Sequence, residues 1–204
     1  MKTRFSMLVR PLPRTLLLGT AIAVFAVTVS GCVAVAAGGA VTGAAAANDR
    51  RTTGTFVEDQ AIELKAANAI MAEGDLARTV HINVTSYNQI ALVTGEAPTA
   101  ELKQKVLDIV SATAKVRQVY DEIEISAPSA LVSRASDVVI TGKVKTALLG
   151  LPNYEGTRVK VVTERGIVYL LGLVSQADAD RAAETARNIG GVQKVVKLFE
   201  TPGG

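Results

Sequence analysis

The sequence contains little of the chemistry from which disulfides and common metal sites are built. Its 204 residues include one Cys, one His and no Trp, and only 4% are aromatic. A disulfide needs two sulfurs, and a zinc site made of Cys and His needs more ligands than this chain offers. A hydrophobic content of 49% with 20% charged residues excludes a collagen-like or wholly disordered chain. The length accommodates one medium domain or two very small ones.

The formal net charge of +3 originates at the beginning of the chain. Residues 1–31 carry four basic residues and no acidic one. The remainder holds the other 18 Lys and Arg residues against 19 Asp and Glu, which is a net charge of −1. Nucleic-acid binding depends on a basic surface, so we predict no nucleic-acid partner.

The beginning of the chain has the pattern of a bacterial export signal. Basic residues precede an apolar run over 16–29, which is shorter than the roughly 20 residues that a membrane-spanning helix needs. We therefore predict a signal peptide over 1–31. The alternative is a retained transmembrane anchor, lengthened by the Ala- and Gly-rich segment that follows.

The sequence Val29-Ser30-Gly31-Cys32 closes the apolar run and resembles the lipobox of bacterial lipoproteins. The resemblance implies cleavage before Cys32 and its acylation by palmitate-like chains, several of which form a stable anchor. Val33 rather than Asp follows, which by analogy with enteric bacteria implies the periplasmic face of the outer membrane. A buried or free thiol is the alternative for Cys32. Because the next residues are of low complexity, we predict an acylated N terminus and tether over 32–55.

A unit of about 70 residues occurs twice in the rest of the chain. A shift of 77 or 78 residues places Asp59 on Asp137 and Gly95 on Gly172. Two copies of an internal repeat indicate twin domains rather than a solenoid. The predicted domains are 56–126 and 134–202.

Both units have the same predicted order of elements. The first contains a helix over 58–73, a hairpin over 81–94 with its turn at 86–89, a helix over 99–113 and a strand over 120–125. The second contains a helix over 136–149, a hairpin over 158–171 with its turn at 165–166, a helix over 177–188 and a strand over 192–200. The order αββαβ predicts an α+β fold in which each domain has a three-stranded sheet with two helices on one face.

Gly95 and Gly172 each come just past the second strand of a hairpin. A glycine at this place indicates a backbone that needs positive φ, or a helix that packs closely over the chain. Neither glycine belongs to a phosphate-binding spacing. We therefore interpret both as structural glycines.

Residues with catalytic potential are few and scattered. His81 is the only histidine, and no nucleophile or metal-ligand pattern accompanies it. Asp121, Glu122 and Glu124 alternate with apolar residues, so we expect them on the water-exposed face of a strand. We predict no enzymatic activity, no cofactor and no metal ion.

The ordered set of motifs resembles a known family. The twin αββαβ units, the glycine after the second strand, a V-x-x-V ending and the pattern D-x-R-x-x-G-T are similar to the dual BON-domain outer-membrane lipoproteins of Gram-negative bacteria. Asp49, Arg51, Gly54 and Thr55 carry that last pattern. The resemblance covers essentially the whole chain. It implies a lipid-anchored periplasmic protein that supports envelope integrity or cell division.

The first helix of the second unit is more apolar than its counterpart in the first unit. Val138 and Leu149 lie within about 20° of each other on a helical wheel, well away from the core stripe. Their counterparts in the first unit are Gln60 and Met71. The candidate lipid-binding residues on and beside this helix are Arg134, Val138, Val139, Lys143, Lys145, Leu149 and Leu151.

The residues alone leave two interpretations of this apolar helix open. An apolar patch rimmed by basic residues suits an anionic membrane surface, whereas the same residues would also suit a contact buried against the first domain. The family resemblance favours anionic phospholipid, such as phosphatidylglycerol or cardiolipin, although this chain has Val139 where the family commonly presents a large aromatic. A further alternative is a protein-interaction adaptor that uses the patch for envelope assembly or division proteins.

Overall fold

The structure, a computed structural model, describes residues 51–201. These residues belong to one compact unit, Ala45–Gly204. The predicted signal peptide over 1–31, Cys32 and most of the tether predicted over 32–55 lie outside the described residues.

The first domain has the predicted order of elements with one addition. Helix α1 begins five residues before its predicted start, because the Thr52 side chain accepts a hydrogen bond from the Thr55 amide at 3.1 Å and caps it there. The short helix α2 is not predicted by the sequence. The elements are α1 (Thr53–Ala72), α2 (Gly74–Thr79), β1 (His81–Tyr87), β2 (Ile90–Ala97), α3 (Ala100–Ser111) and β3 (Gln118–Ile125).

The second domain repeats this order, with a single 3₁₀ turn in the position of α2. Its first helix also begins earlier than predicted, at Leu131, which is three residues before the predicted domain start. The elements are α4 (Leu131–Leu149), the 3₁₀ turn (Gly156–Arg158), β4 (Lys160–Glu164), β5 (Ile167–Leu173), α5 (Gln176–Arg187) and β6 (Lys194–Glu200).

The predicted α+β architecture of two αββαβ units is confirmed. Each sheet has three strands in sequence order, with the first pair antiparallel and the second pair parallel. In the first domain α1 and α3 cover one face of the sheet, where Ala66 and Val106 pack with Ala91 and Val93 of β2. Ala69, which the helical pattern assigns to the same core, is exposed.

The opposite faces of the two sheets pack against each other. Side chains alternate between the faces of a strand, so Leu92 points away from the helices and meets Tyr87, Tyr169 and Leu171 in a third buried cluster. With the helices on one face and the second sheet on the other, every residue of β2 is buried. The two domains therefore share a core.

The acids predicted to face water on β3 lie partly at this contact instead. The Tyr169 hydroxyl donates to Glu122 at 3.2 Å, and Arg165 Nε lies 3.1 Å from a carboxylate oxygen of Glu124. Asp121, on the other side of the strand, pairs with Lys103 at 2.8 Å. The prediction of a water-exposed face is therefore wrong for Glu122, because the second domain covers that side of the sheet.

Gly95 and Gly172 are required by a close backbone neighbour. Gly95 has φ +121°, and a Cβ added there would lie 1.9 Å from the His81 carbonyl oxygen of β1. A Cβ at Gly172 would lie 2.8 Å from the Arg158 carbonyl oxygen. The close neighbour is the first residue of β1 in the first domain and the last residue of the 3₁₀ turn before β4 in the second domain. Neither glycine is required by an α-helix that packs over the chain.

Candidate lipid-facing helix of the second domain

Helix α4 presents an apolar face to the solvent. Val138, Val139 and Leu149 are 73%, 55% and 59% exposed. Five of the nine large apolar side chains that are exposed among residues 51–201 belong to this one helix. The five are Leu131, Val132, Val138, Val139 and Leu149.

The orientation of α4 follows from its core stripe. Ile140, Val144 and Leu148 recur every fourth residue and are buried in the core of the second domain. At about 100° per residue, Leu131, Val138 and Leu149 fall on the opposite side of the helix within about 20° of one another. Burial of the stripe therefore forces these apolar side chains outward.

Leu131 and Val132 were missed by the sequence pattern because the helix start carries no capping signal. Ala130 occupies the N-cap position and makes no side-chain cap. The chain nevertheless enters the helix at Leu131, two residues after Ser129 and three after Pro128. A proline shortly before an apolar pair is the one local signal of this start.

Two exposed lysines flank the apolar face. On the helical wheel Lys145 lies at one edge of the face and Lys143 at the other. Within residues 51–201 neither has an ion-pair partner, whereas Lys103, Lys105 and other lysines pair with carboxylates. The only acid in α4, Asp137, is buried. The exposed surface of α4 is therefore apolar and positive, with no negative charge of its own.

The structure does not place Arg134 and Leu151 on this face. The Arg134 guanidinium turns back and donates to the Ser129 carbonyl at 2.8 Å, and Leu151 packs against the core of the second domain. Both side chains are half-buried. The sequence pattern groups them with the helix face because they are close to it in the chain. Their side chains instead contact the preceding linker, in the case of Arg134, and the domain core, in the case of Leu151.

Packing against the first domain leaves the α4 face open. Leu149 and Lys145 form one wall of a groove of about 390 Å³ whose other wall includes Phe56 and Tyr87 of the first domain. Leu149 nevertheless stays 59% exposed, and Val138 is more exposed still. The interpretation of these side chains as a buried interdomain contact is therefore wrong.

A second cavity, of about 330 Å³, lies between α4 and β1 of the first domain. Val138 and Arg134 line it together with His81, Asn83 and Glu164. Burial raises the pKa of Glu164, and a hydrogen bond from the Asn83 amide opposes this shift. Polar side chains of both domains, His81, Asn83 and Glu164, therefore line one cavity next to Val138.

The first domain also exposes apolar side chains, which the sequence comparison did not predict. Val57, Leu64 and Met71 recur every seventh residue along α1, and each is about 60% exposed. They form a single narrow line, whereas α4 combines a broader apolar face with two flanking lysines. The difference between the two helices is therefore one of width and charge.

Arg51, the arginine of the D-x-R motif, serves the fold, whereas Asp49 lies outside the described residues. Arg51 pairs with the buried Asp59 at 2.6 Å, and its guanidinium lies 4.0 Å from the ring centre of Tyr87 and 5.1 Å from that of Phe56. These contacts are of the cation–π type. They attach the segment before α1 to the β1–β2 turn.

Comparison with known proteins agrees with this architecture. The family described as "BON domain" matches residues 58–127 and 136–203, which correspond to the two αββαβ units. The chain therefore belongs to the BON domain family.

Curated relatives cover most of the chain. Outer membrane lipoprotein DolP of Haemophilus influenzae is 35% identical over 170 residues, which is 83% of this chain and 88% of that protein. The 21 kDa hemolysin of Actinobacillus pleuropneumoniae is 36% identical over 151 residues, 74% of this chain and 78% of that protein. Osmotically-inducible protein Y of Escherichia coli is 26% identical, over 72% of this chain and 75% of that protein.

These similarities place the chain among the dual BON-domain lipoproteins of the outer membrane, on the periplasmic side. Over residues 51–201, no helix is both long and apolar enough to cross a membrane.

Proposed function

We propose that this protein is a non-enzymatic, lipid-anchored periplasmic protein whose second BON domain docks on anionic phospholipid and thereby supports outer-membrane integrity. The observation that carries the proposal is the outward face of α4, which combines five exposed aliphatic side chains with Lys143 and Lys145 and contains no exposed acid. Aliphatic side chains enter the headgroup boundary of a bilayer, while ammonium groups meet the phosphates. Anchoring through Cys32 would hold this face close to the membrane.

The expected strength of docking is modest. Full burial of a Val or Leu side chain is worth about 1.5–3 kcal/mol. The five side chains are 55–82% exposed, so more than half of that gain is still available. Each lysine near an anionic surface adds about 1 kcal/mol. Losses of translational and side-chain freedom offset a large part of this gain. We therefore expect the free domain to bind weakly. In the anchored protein, the lipid anchor raises the effective concentration of the domain at the membrane surface.

Flotation on vesicles tests the proposal without the anchor. Residues 45–204 form one compact unit with their own cores, so this fragment is suited to the assay. We expect it to float with phosphatidylglycerol or cardiolipin vesicles and not with purely zwitterionic ones. Val138→Asp with Leu149→Asp should abolish flotation, because both substitutions place a carboxylate on the apolar face, where it would meet the anionic membrane surface.

The matched control uses the first domain. Val57→Asp with Leu64→Asp introduces the same charge at equally exposed positions of α1 and should leave flotation unchanged. Lys143→Gln with Lys145→Gln should weaken binding about tenfold at low salt, which corresponds to the loss of one to two lysine contributions. Equal failure of the unmodified fragment on anionic and zwitterionic vesicles would remove the lipid proposal.

A protein-interaction adaptor is the second candidate function. The groove between Leu149 and Phe56 has apolar and basic walls from both domains, and it would suit an acidic and apolar peptide of an envelope assembly or division protein. The α4 double substitution separates the two functions in the full-length protein. Loss of a co-purifying partner, together with vesicle binding that the substitution does not change, would favour the adaptor.

A further inference from the structure

We propose that His81, Glu96 and Glu164 bind a divalent metal ion of the zinc class where the two BON domains meet. His81 and Glu96 are register partners on β1 and β2 of the first domain, whereas Glu164 ends β4 of the second. One ligand atom from each residue lies within 4.8 Å of the others. The strands thus bring together an imidazole and two carboxylates that lie far apart in the sequence.

The spacing of the three ligand atoms is close to that of a tetrahedral site. Ligand atoms about 2.1 Å from one zinc ion stand roughly 3.4 Å apart. His81 Nδ1 and Glu96 Oε2 already lie 3.2 Å apart. The two distances to the Glu164 carboxylate are at most 4.8 Å, and side-chain rotations that move an atom by up to about 1.4 Å would shorten them to the spacing of a tetrahedral site. The neighbouring cavity of about 330 Å³ reaches His81 and Glu164 and leaves room for a water molecule as fourth ligand.

A buried oxygen without a hydrogen-bond partner points to a missing cation. Glu96 is completely buried. Its Oε2 lies 3.2 Å from His81 Nδ1, whereas its Oε1 accepts no hydrogen bond, so an ion bound by both oxygens would give Oε1 a partner. The nearest cation there, Arg165, stands 4.0 Å from Oε1, beyond hydrogen-bond distance, and its Nε pairs with Glu124 at 3.1 Å. A buried carboxylate oxygen in this state costs folding free energy unless a cation satisfies it.

The charges around the cluster favour one divalent ion. Glu96 and Glu164 bring two carboxylates to a buried place. Arg165 pairs with Glu124 at 3.1 Å and comes no closer than 4.0 Å to Glu96, while Arg134 donates to the Ser129 carbonyl. Asn83 donates to Glu164 at 3.0 Å and so orients this carboxylate in the manner of an outer-shell partner.

The donor set also indicates the class of metal. One imidazole with two carboxylates suits Zn²⁺ and related ions such as Mn²⁺, whereas Ca²⁺ and Mg²⁺ prefer sites made of oxygen alone. An ion held by residues of both domains would stabilise their docking, because it binds only when the two sheets are packed together.

Isothermal titration and thermal unfolding of the full-length protein in detergent test this site. An untagged form of the protein is used, and the Cys32→Ser variant shows whether the one cysteine of the sequence contributes to binding. After metal is removed with EDTA, we expect one Zn²⁺ to bind per chain. At free zinc 100-fold above its Kd, the Tm should rise by about 5–10 °C.

Variants show whether the cluster itself is responsible. His81→Gln and Glu164→Gln should each weaken zinc binding at least tenfold, while Glu184→Gln, which changes an exposed carboxylate of α5 outside the cluster, should not. Circular dichroism without zinc checks that each variant is folded, and Co²⁺ absorption provides a readout of the ligand field that is independent of stability. The proposal is overturned if millimolar Zn²⁺ and Mn²⁺ produce neither heat nor a shift of Tm. It is equally overturned if the cluster variants bind zinc like the unmodified protein.

Discussion

The carboxylate of Asp137 accepts a hydrogen bond from the Gly166 amide at 2.8 Å, and it accepts a second from the Arg165 amide at 2.9 Å. Both amides belong to a two-residue hairpin turn in which Arg165 and Gly166 have φ of 52° and 75°. Positive φ at both central residues is typical of a type I′ turn. A buried acid in α4 therefore fixes the helix to the hairpin, and with it the rotation that turns Val138 and Val139 to the solvent.

The same arrangement occurs in the first domain with more bonds. Asp59 accepts from the amides of Asn88 and Gln89 at 2.8 and 2.7 Å, from the Ser86 hydroxyl at 2.6 Å and from Arg51. The turn is again formed by two residues of positive φ, so β1 continues through Tyr87 and the predicted four-residue turn shortens to two. The repeated aspartate in the sequence is thus a repeated turn cap.

We expect removal of this cap to be costly. Asp137→Ala leaves two backbone amides without their acceptor and should lower the free energy of unfolding by about 3 kcal/mol. Asp59→Ala should cost more, because the buried ion pair with Arg51 and the hydrogen bond from Ser86 are lost as well. Urea unfolding of fragment 45–204 measures both losses. Among residues 51–201, Asp75 is an exposed acid that pairs with the exposed Arg78 alone, and Asp75→Ala should change the stability by less than about 0.5 kcal/mol. A cost for Asp137→Ala as small as that of the control would contradict the role of the cap.

Gly142 and Gly95 should respond to alanine in opposite directions. Gly142 lies in the middle of α4, and an added Cβ would meet nothing within 4 Å. Gly142→Ala should therefore stabilise the protein by about 0.5–1 kcal/mol through helix propensity. Gly95→Ala should destabilise it severely, because its Cβ would collide with the His81 carbonyl and its φ is positive. Thermal unfolding measures both changes in stability. A gain in both variants, or a loss in both, would contradict the backbone conformations of these two glycines.

Val139→Trp should strengthen membrane docking. The position is 55% exposed at the middle of α4, and Trp buries more area than Val and prefers the membrane interface. We expect about tenfold tighter binding of fragment 45–204 to phosphatidylglycerol vesicles, measured by flotation or tryptophan fluorescence. Val57→Trp on α1 is the matched control and should change binding little. If both variants gain equally, the α4 face has no special part in docking.

Tyr154 should make the second domain sensitive to alkali. Burial and then the nearby Asp178 raise the pKa of Tyr154 to about 12, and its buried hydroxyl has no hydrogen-bond partner among the described residues. Since the unfolded phenol titrates near 10, the folded state loses stability as the pH rises from about 10 towards 12. Tyr154→Phe should therefore recover about 1 kcal/mol at pH 11, after allowance for solvent screening, and little at pH 7. Denaturant unfolding at the two pH values measures the difference. The absence of any gain at pH 11 would contradict the role of Tyr154 in the loss of stability in alkali.

The fold was predictable from the sequence to within a few residues at most element ends. Strand alternation, helical spacing and the aspartate and glycine of each unit depend on residues that are close together in the chain. Such local patterns can be recognised in the sequence alone. The early start of α4 was not predictable in the same way, because no capping side chain marks Leu131. Two of the five apolar residues on the exposed face were missed for this reason.

The candidate site was predictable only in part. Val138, Val139, Lys143, Lys145 and Leu149 follow from the helical wheel, because one buried stripe decides where every other side chain points. The directions of the Arg134 and Leu151 side chains depend on contacts with the preceding linker and the domain core. A helical wheel does not represent such tertiary contacts.

The amino-acid sequence by itself determined the twin αββαβ units, the tight turns and the existence of an apolar, basic helix, since each depends on residues close together in the chain. Only the tertiary structure decided that the two sheets share a core, that this helix remains open to solvent and that His81 meets Glu96 and Glu164. These three results depend on how one domain rotates against the other. That rotation is set by the complementary surfaces of Leu92, Tyr169 and their neighbours, and no periodicity along the chain records it.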